Sequence, residues 1–197
     1  MSELIWQKSG GKVKEIWATD IILAPAKNRL SQFKNPPPIK LKYADLQEKS
    51  PFPDDFFDGI VGNYIFTLLV EFEEQRGIEA LKGIFQEMFQ TLKPGGTLVW
   101  STPRKDVSNF QGLLPSLKYI LNPLRSLKYK VFVPATAIKT LKYTRQIERK
   151  GKEGIYSLLT KEEYEEILIS AGFVNPEWGT AFFGQCLVNK VYKPSVV

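Results

Sequence analysis

Histidine is absent from the 197 residues. That absence excludes a Ser-His-Asp triad, a histidine general base and an ordinary histidine-ligated metal site. Cysteine is nearly absent: Cys186 stands alone, so neither an intramolecular disulfide nor a cysteine-rich zinc site can form. No run of about eighteen apolar residues occurs, and no transmembrane helix is expected. The N-terminus lacks the charged, apolar and small-residue regions of a secretory signal, which points to the cytoplasm. Internal repeats and low-complexity segments are missing as well. Any chemistry must therefore use carboxylates, amines, phenols, backbone groups or a cofactor.

What is present is an ordinary globular composition, 43% apolar with thirteen phenylalanines, and a length that suits one α/β domain with a real core over residues 1–197. The charge is unevenly placed. Between Arg104 and Lys152 twelve Lys or Arg face only Asp106 and Glu148, whereas the remainder carries fifteen against nineteen acidic residues. A mildly acidic domain thus holds one strongly basic insertion, residues 104–155.

Patterning predicts alternating elements. VKEIWAT reads as a strand ending at Asp20, and APAKNRLSQF as a short helix or turn. Pro36, Pro37 and Pro38 force an extended linker before IKLKYAD, an alternating strand that stops at Asp45. SPFPDD is a turn and DGIVGNY a buried strand ending at Asn63 and Tyr64. From Gly77 to Lys93, Ile78, Leu81, Ile84, Phe85, Met88 and Leu92 recur at helical spacing. Lys93 suits the negative end of that helix dipole, Pro94 cannot continue it, and the following glycines permit the left-handed turn into the strand TLVWS. Thr160 and Glu163 form a capping box, with Leu159 and Tyr164 as a hydrophobic staple, opening a helix through Ala171 that Gly172 closes. EWGTAFF and CLVNKVY are two further strands joined by Gly184 and Gln185.

Strands alternating with helices, then two consecutive strands, imply a mostly parallel sheet with an antiparallel hairpin at one edge. Ligands of such sheets bind beyond the carboxyl ends of the strands. Asp20, Asp45, Asn63, Tyr64 and the Ser-Thr-Pro after TLVW all fall there. Individually each has an ordinary reading: Asp20 a helix cap, Asp45 an Asx turn, Asn63 a strand-end turn. Asp54, Asp55 and Asp58 look like a paired-carboxylate or metal cluster but read better as turn residues, so no metal site is assigned.

In order and spacing, YADLQEKSPFPDDFFDGIVGNY, LKPGGTLVWSTP and LLTKEEYEEILISAGF resemble the class I S-adenosylmethionine-dependent methyltransferases, especially the ubiquinone and menaquinone C-methyltransferase group. The resemblance implies a Rossmann-like sheet and S-adenosyl-L-methionine as cofactor. By position, Asp20 would accept from the ribose hydroxyls, Ile21 would pack on the adenine, Asp45 would accept from its amino group, and the Leu46 backbone would meet a ring nitrogen. Asn63 and Tyr64 would border the methionine end. The implied function is methyl transfer to a small-molecule or lipid-like acceptor. No catalytic residue is identified; a base, if needed, would be Tyr64, Tyr156 or a carboxylate.

The family opens with a strand and a glycine-rich loop. Here only nineteen residues precede Asp20, and SELIWQKSGG corresponds to the end of the helix after that loop, with Ser9-Gly10-Gly11 as a helix C-cap. The chain therefore reads as N-terminally truncated. Loss of a central strand would leave a slot roughly 10 Å wide, so upstream residues, a closed-up sheet or another chain must answer for it. The alternative function is accordingly a non-catalytic methyltransferase-like module, or a fragment needing upstream residues or a partner chain.

The insertion sits where family members carry a substrate-covering segment. Leu113, Leu117, Ile120, Leu121, Leu124 and Leu127 form an apolar stripe beside Lys118, Arg125, Lys128 and Lys130. Such a stripe suits first a lid with a solvated basic face, and second a peripheral contact of residues 113–152 with an anionic membrane. Tyr119, Tyr129 and Tyr143 interleave with the cations, yet no recognised RNA-binding motif supports a nucleic-acid partner.

Overall fold

A computed structural model describes residues 8, 10, 12–32, 38–63, 71–105, 145–146, 149–153, 158–181, 184 and 186–195. Tyr64, Tyr156 and the stripe from Leu113 to Leu127 lie outside the described residues. The chain divides into two compact units, Met1–Pro51 and Phe52–Val197.

In the first unit, β1 (Ile16–Asp20) leads through α1 (Ala24–Leu30) to β2 (Ile39–Tyr43). The two strands pair in parallel, from Ile16 opposite Ile39 to Asp20 opposite Tyr43. A parallel pair needs a crossover rather than a tight turn, and α1 lies within it. On one face Lys40 pairs with Glu15 at 2.5 Å and rests 4.9 Å from the Trp17 ring centroid. Its stem thereby covers an aromatic while its charge stays exposed.

The second unit runs β3 (Phe57–Asn63), β4 (Glu71–Phe72), β5 (Gln75–Arg76), α2 (Ile78–Thr91), β6 (Leu92–Pro103), α3 (Lys161–Ser170), β7 (Val174–Ala181) and β8 (Cys186–Tyr192). Its main sheet has the order β3-β6-β8-β7. β3 and β6 are parallel, and β8 is antiparallel to both of its neighbours. The architecture is the expected α/β one, with the antiparallel hairpin at the C-terminal edge. The strands nonetheless form separate sheets, a β1–β2 pair apart from the four-stranded sheet, so a single closed-up ladder is not what the described residues build.

Alternation along β6 buries Leu98, Trp100 and Thr102 on the face that receives the helices. Trp100 packs on Phe85 of α2 at 5.7 Å between ring centroids and on Tyr164 of α3 at 4.7 Å. Trp178 of β7 meets it edge-on at 6.0 Å. Leu81, Ile84, Val191 and Leu168 complete a core from which water is excluded. Each such side chain contributes about 1.5–3 kcal/mol on burial.

The junction LKPGG explains why this helix and strand abut. α2 stops at Thr91, two residues before the periodicity alone suggests, because Leu92 takes an extended conformation and is fully buried. Gly95 has φ +76°, a region costly for any residue with a Cβ. Its N–H donates to the Lys193 carbonyl at 3.0 Å, and Lys193 N–H donates back to the Gly96 carbonyl at 2.9 Å. A Cβ on Gly96 would lie 2.7 Å from the Lys93 carbonyl oxygen. The two glycines therefore serve different ends: one adopts the backbone turn, the other admits a close neighbour.

The capping box of α3 forms as the sequence predicts. Glu163 N–H donates to Thr160 Oγ1 at 3.3 Å, and Thr160 N–H donates to Glu163 Oε2 at 2.6 Å. The Thr160 amide, together with Lys105, holds the Glu163 carboxyl below its ordinary pKa despite partial desolvation. Leu159 and Tyr164 are both buried beside it. Ala171 ends the helix, followed by Gly172 at φ +99°.

Candidate functional site

Parallel strands finish at the same edge, and in α/β sheets that edge is where ligands bind. In the first unit β1 and β2 deliver Asp20 and, two residues beyond Tyr43, Asp45. The Ala44 amide donates to the Asp20 carbonyl at 3.5 Å, tying the two strand ends together. Each carboxylate then shapes its own loop. Asp20 Oδ1 accepts from Ile22 N–H at 3.0 Å, and Asp45 Oδ1 accepts from Gln47 N–H at 2.9 Å. Both are Asx turns. Because α1 begins only at Ala24, Asp20 does not cap it. Among the described residues neither Oδ2 has a hydrogen-bond partner, so one oxygen of each aspartate builds the loop and the other is not committed by it.

Around these acids the edge is apolar. Ile21 is 55% exposed, Ile22 62% and Tyr43 56%. A single exposed apolar residue is unremarkable, but three side by side form a margin that a flat apolar ligand can cover. Leu46 lies half-buried in the turn after Ala44. The acceptor set of this unit fits an adenosyl group: carboxylate oxygens not used by the loops suit hydroxyl and amino donors, and exposed isoleucine suits a ring face.

In the second unit the carboxyl ends of β3 and β6 carry Asn63 and Ser101, which are register partners. Ser101 Oγ donates to Asn63 Oδ1 at 2.6 Å. β6 continues to Pro103, after which Arg104 Nη1 donates to the Gly184 carbonyl at 3.3 Å and Lys105 pairs with Glu163 at 3.2 Å. Thr102 and Tyr164 share a buried hydroxyl contact of 3.3 Å. Burial pushes the Tyr164 phenol up to about 12, outweighing its Thr102 hydrogen bond. It stays protonated at neutral pH and is no base.

The structure thus brings Asp20, Ile21, Asp45 and Leu46 to one edge of the first unit, and Asn63 to the corresponding edge of the second. Tyr64 and Tyr156 lie outside the described residues. Asp55 and Asp58 are engaged elsewhere, with Lys193 and Lys93 respectively, each at 2.8 Å. Ser101 is the polar residue that sequence reasoning left without a role. Its signal was the parallel register of two strands ending in Asn63 and in Ser-Thr-Pro, a relation no single segment displays.

Residues 3–100 match the family described as "Methyltransferase domain". The ubiquinone/menaquinone biosynthesis C-methyltransferase UbiE of Chromobacterium violaceum is 32% identical over 136 residues, covering 63% of this chain and 51% of that protein. The UbiE of Neisseria meningitidis serogroup B is 35% identical over 97 residues, 48% of this chain and 35% of that protein. The chain spans about half the length, or less, of the curated relatives it matches. Among solved structures, an S-adenosylmethionine-dependent methyltransferase from Mesorhizobium loti superposes with a TM-score of 0.57 at 16% identity, over 95% of this chain and 84% of that one. The N-methyltransferase NodS from Bradyrhizobium japonicum, in complex with S-adenosyl-L-homocysteine, gives 0.54 at 15% identity over 96% and 71%. At these identities the structural likeness establishes the fold.

Proposed function

We propose, from the match of residues 3–100 to the methyltransferase domain family, that the chain transfers a methyl group from S-adenosyl-L-methionine to a small-molecule or lipid-like acceptor. The observation that carries the reading is the pair of aspartates at the ends of β1 and β2, each committing one oxygen to its own loop, with Ile21 exposed directly after Asp20. Asp20 Oδ2 is assigned to the ribose hydroxyls and Asp45 Oδ2 to the adenine amino group. The Leu46 backbone is assigned to a ring nitrogen.

When bound, the cofactor supplies a methyl group on a sulfonium. The chain's own residues then have to bind it, orient the acceptor in line with it and exclude water. Positioning of that kind supplies most of the acceleration in a displacement that needs no strongly reactive side chain, which agrees with a sequence devoid of histidine. A carboxylate near a sulfonium cation adds charge complementarity. The lipid-like acceptor class and a peripheral membrane contact through 113–152 belong to the same proposal, supported by the stripe of leucines with basic flanks.

The test uses binding, not turnover. In Asp20→Asn the amide oxygen still accepts from Ile22 N–H, so the loop is kept while the carboxylate is lost. Calorimetric affinity for S-adenosylhomocysteine is expected to fall about tenfold or more, the scale of a lost charged hydrogen bond, with the melting temperature unchanged. Equal affinity in both proteins would overturn the assignment. Absence of binding by the unaltered chain supports instead the non-catalytic methyltransferase-like module or fragment.

A further inference from the structure

We infer that β1, β2 and the loops at their carboxyl ends open and close as a unit of their own, more readily than the second unit, and that an adenosyl group held by Asp20 and Asp45 keeps this unit closed. The inference rests on the cofactor reading above and deepens it: occupancy of the site controls whether the site is folded.

The first unit has almost no interior. Of its described residues only Ala44 is buried. Ile16, Trp17, Ala18, Ile39 and Leu41, which carry the strand pair, are half-buried. Two strands alone make a marginal sheet in water, and the parallel ladder of Ile16–Asp20 on Ile39–Tyr43 is the weaker kind per residue. α1 adds only seven residues, well short of the length at which an isolated helix holds in water. The Glu15–Lys40 pair is exposed at both ends and contributes little. The second unit is built otherwise: Trp100, Phe85, Tyr164, Leu98 and Val191 are fully buried, with Trp100 of its four-stranded sheet packed on rings from both α2 and α3. Opening free energies within one chain follow such differences in buried apolar contact.

What the strand pair lacks is what the ligand brings. The two strand ends meet through the Ala44 amide, which donates to the Asp20 carbonyl across a long 3.5 Å. Asp20 ends β1, and Asp45 follows β2 by two residues. A group that engages both carboxylates at once therefore spans the ladder from one strand to the other. Its ring also covers apolar surface at Ile21, which is exposed in the free chain. A ligand that binds only the closed unit suppresses opening by a factor close to the ratio of its concentration to its dissociation constant.

Hydrogen–deuterium exchange of the full chain, read by mass spectrometry with and without S-adenosylhomocysteine, tests this, with calorimetry to measure binding. Without ligand, the amides of β1 and β2 are expected to exchange about tenfold or more faster than the paired amides of β6 and β8. At about 100 times the dissociation constant, the ligand is expected to slow exchange in β1 and β2 about 100-fold and to leave β6 and β8 unchanged. Ile39→Ala, at the end of β2 away from the aspartates, is expected to speed exchange in β1 and β2 alone, even if it opens that unit completely. Equal protection of all four strands in the free chain overturns the proposal, and so does faster exchange of β6 and β8 in Ile39→Ala. Binding heat without added protection of β1 and β2, or with equal slowing in all four strands, overturns the coupling and leaves the cofactor reading standing. Absence of binding heat, with β1 and β2 exchanging fast, sinks the cofactor reading and the coupling with it.

Discussion

Lys193 shows how much one side chain can organise. Its Nζ donates to the Leu92 carbonyl at 2.7 Å, to the Gln90 carbonyl at 3.4 Å and to Asp55 Oδ1 at 2.8 Å, and lies 4.8 Å from the Phe89 ring centroid. The carbonyls at a helix C-terminus lack intrahelical partners, and a cation there also meets the negative end of the helix dipole. The sequence suggests Lys93 for that task by proximity. In the fold Lys93 reaches Asp58 instead, and a lysine 101 positions beyond Leu92 takes the role. Local reading cannot find such a partner, because strand pairing sets the distance. Lys193 is only 14% exposed, so its interactions are little screened. Lys193→Met is expected to lower unfolding free energy by about 2–3 kcal/mol, the cost of leaving a carboxylate and two carbonyls without their donor, as measured by denaturant titration. A change under about 0.5 kcal/mol, the size of an ordinary surface substitution, would show that these bonds contribute nothing net.

At the level of elements, the helices and most strands were legible because hydrophobic period and end residues agree. The capping box of α3 and the Gly172 stop are examples in which chemistry at three or four positions defines an end. The small β4–β5 hairpin was not legible. Its two-residue turn places Glu73 at φ +43° and Glu74 at φ +71°, where such turns normally carry Asn or Gly, so no turn signal marks it. What holds it is Phe72, buried against α2. Gly83 of α2 makes room for that ring: an added Cβ would lie 2.8 Å from Phe72 Cε1 and closer still to Cδ1. Two effects compete in Gly83→Ala. Alanine favours a helix interior by about 1 kcal/mol over glycine, whereas forcing a carbon into a packed site costs about 1–3 kcal/mol. Overpacking wins, because the neighbour is a ring enclosed by its surroundings rather than a mobile chain end. The variant is expected to melt lower than the parent; a higher melting temperature would show that the hairpin moves aside freely.

For the whole molecule, charge asymmetry is the property that sequence alone quantifies. Twelve basic residues against two acidic ones between Arg104 and Lys152 give a field that attracts anionic surfaces and weakens with salt. Among the described residues no helix is long and apolar enough to cross a membrane. A peripheral contact therefore predicts co-sedimentation with vesicles containing phosphatidylserine, lost progressively as ionic strength rises and reduced when Lys128 and Lys130 become Glu. Equal pelleting with neutral phosphatidylcholine vesicles would reject the electrostatic version. The charge count could not have chosen among a lid, a membrane and a nucleic acid, since all three offer the same Coulombic attraction or solvation to lysine and arginine.

By itself the sequence determined the α/β class, the strand ends that carry Asp20, Asp45 and Asn63, and the chemistry that an absence of histidine forbids. Those features are local: periodicity of 2 or 3.6, turn residues and composition are written within a dozen positions of one another. Only the tertiary structure decided that each aspartate turns one oxygen into its own loop, that Ser101 holds the Asn63 amide, that Lys193 caps a helix ended 102 residues earlier at Thr91, and that the described strands divide into three sheets. Each of these depends on register or on pairing between distant segments, and a one-residue slip in a strand would send every such side chain to the opposite face.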